Sequence, residues 1–501
     1  MSVKRNIAAN YLGQVWTAVM GLAFVPLYIR YLGMEAYGLI GVFAMLQTWL
    51  SLLDFGLTST LTREMARPIA NAEDTQLRWN LLRSIELAIA ALALSTAAML
   101  WTGADWIATA WLRAQRLPAI TVANACALMG VVVALRFIEN LYRGGIVGLQ
   151  KQVELNLATS LLATLRGAGA VAVLAWVSNS IEAFFAWQAM VSLLSAAVLA
   201  AMVYRALPAP AARPSFRWDS LRSIGRFSTN TFAIAALGFL LSQTDKLVLS
   251  KMLALADFGY YALAAVLATY VRLLATSIDQ AVYPRFVELH SRGQFDELAR
   301  YYHRATQLSV VLMGGLGVAL GMFGEHFLLA WTGDRYLAAR TAPLLWMLLV
   351  GMVANGLLNG PYYLQMAAGW TSMLLKTNIA MAFIFVPGLL LAVARYGAVG
   401  AAASWALFNV VYMAIVVGLM HRRLLPAEKW RWYLEDLGRP LGIAFVTALA
   451  MRLVLPSPDV ASWSAVIFVI GCATSLLAAS VAAPHVRSAL ASKFAKVARH
   501  A

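Results

Sequence analysis

The sequence has little charge and almost no cysteine. Only 12% of its 501 residues are charged, whereas 61% are hydrophobic, and its mean hydropathy is +0.71. Soluble domains carry roughly 25% charged residues, so this composition excludes a water-soluble fold. The two cysteines, Cys126 and Cys472, both lie in apolar stretches. A disulfide framework is therefore excluded as well.

The sequence also lacks the features of an enzyme. Its six histidines lie in loops or at the ends of apolar stretches. No spacing of His, Cys, Asp or Glu is typical of metal ligands or of a nucleophile with its base. There is no phosphate-binding loop for ATP, and the connections between apolar stretches are too short to hold a catalytic domain. We therefore expect no catalytic residue, no cofactor and no metal ion.

Long apolar stretches are the feature that the sequence does have. About 20 apolar residues are needed for a helix to cross a hydrocarbon core of ~30 Å. Backbone groups in lipid must be satisfied within their own segment, which makes such spans helices. The sequence predicts an all-α integral membrane protein with fourteen transmembrane helices, at residues 8–29, 37–61, 81–102, 119–141, 157–177, 182–204, 228–250, 258–281, 306–329, 342–364, 373–394, 397–419, 437–455 and 463–482.

The basic residues are distributed unevenly over the connecting loops. The formal net charge is +16, with 39 Lys and Arg. If the N-terminus is cytoplasmic, 27 of these lie at cytoplasmic ends and loops. Eight lie on the opposite side: Arg30, Arg113, Arg116, Lys251, Arg335, Arg340, Arg395 and Arg452. This bias follows the positive-inside rule. We expect a multi-pass protein with both termini in the cytoplasm, and no nucleic-acid partner.

Four basic residues fall inside the predicted spans: Arg136, Arg166, Lys246 and Arg272. Each costs about 2.5–3.5 kcal/mol at a helix centre, so each needs a partner, a water-filled cavity or a ligand. Four acidic residues share the spans: Asp54, Glu139, Asp245 and Asp279. Arg136 and Glu139, three residues apart, are close enough to neutralise each other. Asp245 and Lys246 form a second candidate pair, whereas Arg166 and Arg272 have no acidic residue within one turn.

Polar residues also recur at helical spacing in the first two spans. Gln47, Ser51, Asp54, Thr58 and Thr62 would form one polar face of the second span. Asn6, Asn10, Gln14 and Thr17 would do the same in the first. Such faces either form hydrogen bonds between helices, worth about 0.6 kcal/mol per contact, or line a path for a substrate. Each face taken alone favours packing.

A weak internal repeat favours the second interpretation. Residues 6–84 align with 227–305 at a constant offset of 221, which pairs Gly38 with Gly259. The same offset places the polar face of the second span on Ala268, Arg272, Ala275, Asp279 and Tyr283. A parallel repeat is typical of transporters with two lobes around one substrate site. The sequence therefore predicts four parts: a lobe at 1–205, a cytoplasmic linker at 206–226, a second lobe at 227–421, and two further helices with a tail at 422–501. The polar faces of the two lobes would line a central cavity.

Several segments carry a family resemblance. They are YLGMEAYGLIGVFAMLQTWLSLLDFGLTSTLTREMAR at 31–67, TDKLVLSKMLALADFGYYALA at 244–264, YPRFVEL at 283–289 and GAVGAAASWALFNVVY at 397–412. The sequence resembles the polysaccharide-transporter branch of the multidrug/oligosaccharidyl-lipid/polysaccharide exporter superfamily, which contains O-antigen repeat-unit flippases. The resemblance extends over most of residues 1–420.

This resemblance implies a substrate and a location. The cargo would be an undecaprenyl-pyrophosphate-linked oligosaccharide, moved from the inner to the outer leaflet of a bacterial inner membrane by alternating access. Membrane lipid, a coupling proton or sodium ion, and polysaccharide polymerase or assembly proteins would be the partners. A diphosphate favours Arg and Lys, so the predicted substrate contacts are Arg272, Lys246, Arg166 and Arg136. The predicted ion-coupling or cavity-lining residues are Asp54, Asp279, Asp245, Ser51, Thr58, Gln47, Asn10 and Gln14.

Two other transport functions remain open from the sequence. A drug or metabolite antiporter of the same superfamily would export amphipathic cations, and its cavity would be rich in acidic and aromatic residues. The spans are predicted to hold at least as many cations as carboxylates, which favours an anionic cargo instead. A flippase for the lipid-linked peptidoglycan precursor would differ only in the headgroup that it carries.

Overall fold

The computed structural model describes residues 3–54, 56–68, 72–218, 243–273, 276–370, 372–455 and 460–498. Within these ranges the regular structure is helical, and the β-type pairing is a single bridge between Arg113 and Ala254. The all-helical fold predicted from the sequence is confirmed. It satisfies the backbone groups of each segment within that segment, as a lipid environment requires.

The chain divides into two compact units, Met1–Gly259 and Tyr260–Ala501. The helices of the first unit are α1 Val3–Ala23, α2 Val25–Leu50, α3 Leu57–Ala66, α4 Ala72–Thr102, α5 Ala104–Trp106, α6 Ala119–Gly148, α7 Gln152–Trp176 and α8 Ile181–Ala206. A 3₁₀ turn, Ser51–Asp54, and a π-helical turn, Ile107–Trp111, follow α2 and α5. Residues 243–252 are also helical. Within this unit α6 packs against α4 and α8, and α1 packs along α7.

The next helix, α9 Leu255–Leu273, begins in the first unit and continues into the second. The others are α10 Thr276–Ser291, α11 Phe295–Ser309, α12 Gly315–Met322, α13 Gly324–Thr332, α14 Arg335–Leu357, α15 Asn359–Ala367, α16 Ser372–Leu424, α17 Lys429–Arg431, α18 Arg439–Val454, α19 Ala461–Ala482 and α20 Pro484–Ala498. Two π-helical turns, Val310–Gly314 and Trp432–Gly438, precede α12 and α18. Within the second unit α14 packs on α16, and α18 packs on α19.

Ten helical segments among the described residues are long and apolar enough to cross a membrane. The protein is therefore a multi-pass membrane protein. The count of fourteen spans and the four-part domain division stay predictions, and most of the predicted span 228–250 lies outside the described residues. At Gly397 the helix α16 is interrupted by a backbone with φ of 57°. Glycine adopts this conformation without strain, and the break separates the two spans predicted at 373–394 and 397–419.

The polar face predicted for the second span is divided by a backbone break. The helix α2 ends at Leu50, the 3₁₀ turn follows, and α3 begins at Leu57 after Gly56, whose φ is 79°. Gln47 therefore lies on α2, whereas Thr58 lies on α3. The chain does not form one continuous helical face from Gln47 to Thr62, because the left-handed backbone at Gly56 changes its direction.

Glycines allow two close helix crossings in the first unit. On α6, a Cβ at Gly144 would lie 3.0 Å from Thr62 Oγ1, and one at Gly148 would collide with the Thr62 carbonyl oxygen. Small residues at such positions let membrane helices approach closely. The second crossing joins α2 to the start of α9. A Cβ at Gly38 would collide with the Leu255 carbonyl oxygen, and one at Gly259 would lie 2.7 Å from the Met34 carbonyl oxygen. Adding the repeat offset of 221 to the numbers of Gly38 and Met34 gives Gly259 and Leu255. The repeat therefore relates the contact of Gly38 with Leu255 to the contact of Gly259 with Met34.

Candidate functional site

Asp54 caps the helix that follows it. Its carboxylate accepts a hydrogen bond from Thr58 Oγ1 at 2.8 Å and from the Thr58 N–H at 3.3 Å. The first N–H groups of a helix have no partner within the helix, and an aspartate before the first turn satisfies them. The carboxylate that stands out in an apolar stretch of the sequence thus has a local structural partner. The half-buried Asp54 holds the break between α2 and α3 in place.

Three other residues of this polar face, Thr62, Ser51 and Gln47, differ in their surroundings. Thr62 Oγ1 donates to the Gly144 carbonyl oxygen of α6 at 3.0 Å. Ser51 is exposed and donates to the Thr48 carbonyl oxygen at 2.7 Å. Gln47 is half-buried on α2. Thr62 therefore contributes to packing between α3 and α6.

The polar face of the first span contacts α7. The side-chain amide of Asn156 on α7 donates to Asn10 Oδ1 on α1 at 2.6 Å. Six residues further along α1, Trp16 Nε1 donates to Thr164 Oγ1 of α7 at 3.0 Å. The other predicted residue, Gln14, is exposed. Asn10 thus forms a hydrogen bond between two helices, which is the packing interpretation of that face.

Arg166 on α7 has an acidic partner on α6. Its Nη2 lies 3.2 Å from Glu139 Oε2, and the side chains are 19% and 9% exposed. Arg143, one turn after Glu139, lies 3.3 Å from the other carboxylate oxygen. Ser192 and Ser195 of α8 provide further acceptors for Arg166, at 3.4 and 3.5 Å. This ion pair is not evident from the sequence, because its partners are 27 residues apart.

The surroundings of Arg136 differ from those of Arg143 and Arg166. No described carboxylate forms an ion pair with it, although Glu139 follows one turn later on α6. Its guanidinium carbon lies 5.7 Å from the centroid of the Phe43 ring of α2. The Nε atoms of Arg136 and of Arg166 are buried and have no hydrogen-bond partner. In the structure the carboxylate oxygens of Glu139 lie closest to Arg143 and Arg166, so neutralisation of Arg136 by Glu139 stays a prediction.

We call Arg136, Glu139, Arg143 and Arg166 the Glu139 cluster. It holds three guanidinium groups and one carboxylate. The side chains of this cluster, on α6 and α7 of the first unit, therefore carry an excess of positive charge. Guanidinium groups in a low-dielectric setting form strong, directional hydrogen bonds with carboxylates and phosphates. Arg143 is the exposed member, at 43%. Arg136 and Arg166 are the members with the chemistry to hold an anionic group, and their Nε atoms are buried without a hydrogen-bond partner.

The other predicted residues have surroundings of their own. Lys246 donates to Gln243 Oε1 at 2.8 Å, and its neighbour Asp245 is buried. Arg272 is half-buried at the end of α9, where its Cγ lies close to Gly356 of α14. Asp279 belongs to α10, but its side chain lies outside the described residues.

The sequence did not reveal a second buried charge cluster, in the second unit. The imidazole of His303 on α11 is fully buried. Its Nδ1 contacts Asp436 Oδ2, and its Nε2 lies 2.9 Å from Glu428 Oε2. Gln307 donates to Asp436 Oδ1 at 2.8 Å and accepts from the His485 N–H at 2.9 Å. We call these five residues the His303 cluster. Its partners come from distant parts of the chain, so helical spacing could not bring them together.

Solved transporter structures share this fold. The structure titled "Lipid II flippase MurJ, inward closed conformation" aligns with a TM-score of 0.70 and 12% identity, covering 95% of this chain and 98% of that one. An inward-facing multidrug resistance MATE family transporter of the MOP superfamily aligns with a TM-score of 0.64 and 14% identity, covering 82% and 96%. At these identities the likeness is one of fold.

Sequence comparison gives the family. The "Putative O-antigen transporter" of Shigella flexneri is 20% identical over 425 residues, which cover 85% of this chain and 99% of that protein. These relatives are transporters and not enzymes. The profile of the family described as "Polysaccharide biosynthesis protein" matches residues 3–290, more than half of the chain. The chain belongs to the polysaccharide biosynthesis protein family.

Proposed function

We propose that this protein is a flippase for a lipid-linked oligosaccharide. The cargo is an undecaprenyl-pyrophosphate-linked repeat unit, which moves from the cytoplasmic to the periplasmic leaflet of a bacterial inner membrane by alternating access. The observation that carries the proposal is the match to the Shigella flexneri protein over nearly the full length of that protein. The fold shared with a lipid II flippase supports it.

The Glu139 cluster supports an anionic cargo. A chain that exports cations needs acidic groups to attract them, whereas this cluster has three arginines for one glutamate. A buried guanidinium without a carboxylate partner is costly in a membrane. A diphosphate passing along the helices would give Arg136 and Arg166 the acceptors that their Nε atoms lack.

The roles of the predicted residues follow from this cargo. Arg136 and Arg166 of the first unit, Lys246, and Arg272 at the end of α9 contact the diphosphate. The proposed coupling ion, a proton or sodium, binds through Asp54, Asp245 or Asp279. Polar residues lining the path serve the sugars. Both termini lie in the cytoplasm under this proposal, and a polysaccharide polymerase would use the translocated unit.

A gene deletion tests the cargo directly. In the source bacterium, loss of this gene should abolish the surface polysaccharide and leave undecaprenyl-pyrophosphate-linked repeat units in the cytoplasmic leaflet. Mass spectrometry of the lipid extract detects them. Restoring the wild-type gene should restore export. The matched variants are Arg136→Met, which should fail to restore it, and Arg143→Gln, which should restore it because Arg143 is half-exposed.

Three results would contradict the proposal. Normal surface polysaccharide in the deletion strain would exclude this cargo. Rescue of cells depleted of their lipid II flippase would favour the peptidoglycan precursor instead. Uptake of a fluorescent cation by proteoliposomes under a proton or sodium gradient would identify a cation antiporter.

A further inference from the structure

The segment after α8 follows a fixed course along α4. We call residues 207–218 the strap. Trp79 Nε1 donates to a strap carbonyl oxygen, that of Pro208, at 2.8 Å. Three strap N–H groups donate in turn to side chains of α4: Ala212 to Gln76 Oε1 at 2.9 Å, Ser215 to Asn80 Oδ1 at 2.9 Å, and Arg217 to Ser84 Oγ at 2.8 Å.

The spacing of these acceptors explains the course of the strap. Gln76, Asn80 and Ser84 are four residues apart, so they lie on one face of α4. The strap contains three prolines, whose fixed φ angles restrict its backbone further. It is therefore held at both ends and in the middle, unlike a flexible linker.

The last part of the strap lies where α4 enters the apolar region. From Leu87 to Thr102 the helix α4 carries no charged residue, and Ser84 precedes this run by less than one turn. Arg217, bonded to Ser84 through its N–H, therefore lies at the membrane interface. Its neighbours Phe216 and Trp218 are 47% and 66% exposed. Aromatic rings concentrate at this level of membrane proteins.

The charge of the strap has one sign. Arg205, Arg213 and Arg217 are exposed, and no acidic residue occurs between positions 205 and 218. Arg83, the neighbour of Ser84 on α4, is half-exposed and adds a fourth guanidinium group. Anionic headgroups attract clusters of basic residues beside a membrane helix.

A cavity lies beside the strap. It has a volume of about 220 Å³ and is lined by Trp79, Leu82, Arg83, Glu86, Tyr204 and Pro214. Its carboxylate is already engaged: Glu86 accepts from the Tyr142 and Tyr204 hydroxyls at 2.9 and 2.6 Å. Arg83 Nη1 lies 3.4 Å from the other Glu86 oxygen, and its half-exposed guanidinium has further N–H donors, which suit a phosphate ester better than a basic ligand.

We propose that the strap and the adjoining end of α4 bind the headgroup of an anionic phospholipid. The phosphate contacts Arg83, Arg213 and Arg217, and the rings of Phe216 and Trp218 pack at the level of the glycerol. The fixed backbone holds these side chains in place before the lipid arrives. This site is separate from the Glu139 cluster and does not depend on the cargo.

Thermal unfolding of the purified full chain in detergent tests the proposal. Added phosphatidylglycerol should raise the unfolding midpoint more than the same amount of phosphatidylcholine, because a ligand that binds the folded state stabilises it. The double variant Arg213→Gln/Arg217→Gln should lose at least half of that difference. The matched control Arg116→Gln/Arg395→Gln also removes two exposed arginines and should keep the difference. Higher salt should weaken the wild-type effect.

A second variant separates a fixed site from mere charge. Asn80→Ala removes the middle anchor of the strap and leaves every arginine, so it too should reduce the phosphatidylglycerol effect. If both strap variants respond to phosphatidylglycerol as the control does, the proposal is wrong. If only the arginine variant loses the response, the charge acts without the fixed strap, and the built site is refuted.

Discussion

The two buried charge clusters of this protein differ in how completely they are satisfied. In the His303 cluster of the second unit, both ring nitrogens and both oxygens of Asp436 have partners. In the Glu139 cluster of the first unit, Nε of Arg136 and Nε of Arg166 have none. The first cluster contains two carboxylates around one imidazole, and the second contains three guanidinium groups around one carboxylate.

We interpret this difference as that between a structural cluster and the cargo-binding cluster that we propose. Each ring nitrogen of His303 lies against a carboxylate oxygen, from Asp436 or Glu428. Such a closed set of hydrogen bonds joins α11 to the segment before α18 and to the start of α20. Incomplete networks are costly in a low-dielectric interior, so donors without partners in the Glu139 cluster require another reason to persist. The anionic cargo that we propose would supply that reason.

The largest effect is expected from opening the His303 cluster. Asp436→Ala leaves His303 and Gln307 without their acceptor, and breaking a buried ion pair costs about 3–5 kcal/mol. Chemical or thermal unfolding of the purified protein measures this loss. Its neighbour provides the control: Glu435 is 56% exposed, so Glu435→Ala should cost at most about 1 kcal/mol. Equal losses in the two variants would contradict the structural role of the cluster.

The next effect concerns transport and not stability. Arg136→Met keeps an unbranched side chain and removes the charge. Transport should fall at least tenfold, equivalent to about 1.4 kcal/mol, while the unfolding midpoint stays equal or rises because a buried cation without a carboxylate is removed. Arg143→Gln, with a side chain that is 43% exposed in the wild type, should change both quantities little. A variant Arg136→Met that unfolds early but transports normally per folded molecule would reverse this assignment.

A smaller effect is expected for the polar contact between α1 and α7. Asn10→Leu removes the acceptor of Asn156, and hydrogen bonds between membrane helices contribute about 0.6 kcal/mol on average. Unfolding of the purified protein should show a loss of this size, with transport close to wild type. A tenfold loss of transport at unchanged stability would instead make Asn10 part of the cargo path.

The smallest effect is expected at an exposed ion pair outside the membrane segments. The Arg285 side chain lies 2.7 Å from Glu288, and this hydrogen bond lowers the pKa of Glu288 from its ordinary value of about 4.3. The pair therefore stabilises the fold above that pH and loses its effect as the pH falls through the lowered pKa. Glu288→Gln should flatten this part of the stability profile between neutral and acidic pH. An unchanged profile would show that the pair contributes nothing measurable.

The sequence predicted the elements of this fold better than their breaks. Apolar length and positive mean hydropathy identified the membrane helices, and the separation near Gly397 is present in the structure. The interruption of the polar face at Gly56 was not predicted, because helical spacing carries no information about a left-handed residue. Helical spacing is equally uninformative about Gly293, whose φ of 67° separates α10 from α11.

The charged residues were identified, but most of their partners were not. Arg166 was singled out because no acid lies near it in the sequence, yet Glu139 pairs with it across two helices. The sequence does not indicate a charge cluster around His303, because its partners, Glu428 and Asp436, are more than a hundred residues away. Tertiary contacts of this kind depend on how the helices pack, and the spacing of residues along one sequence does not reveal that packing. Asp54, the most conspicuous carboxylate, proved to have a local role that its position before Thr58 suits.

One measurement tests the central claim most directly. Liposomes containing the purified protein and an undecaprenyl-pyrophosphate-linked oligosaccharide would be assayed for movement of the sugar between leaflets, with a lectin or glycosidase that reaches only the outer face. The account predicts that wild-type protein and Arg143→Gln move the lipid, and that Arg136→Met moves it at least tenfold more slowly while remaining folded. Equal rates for wild type and Arg136→Met would contradict it.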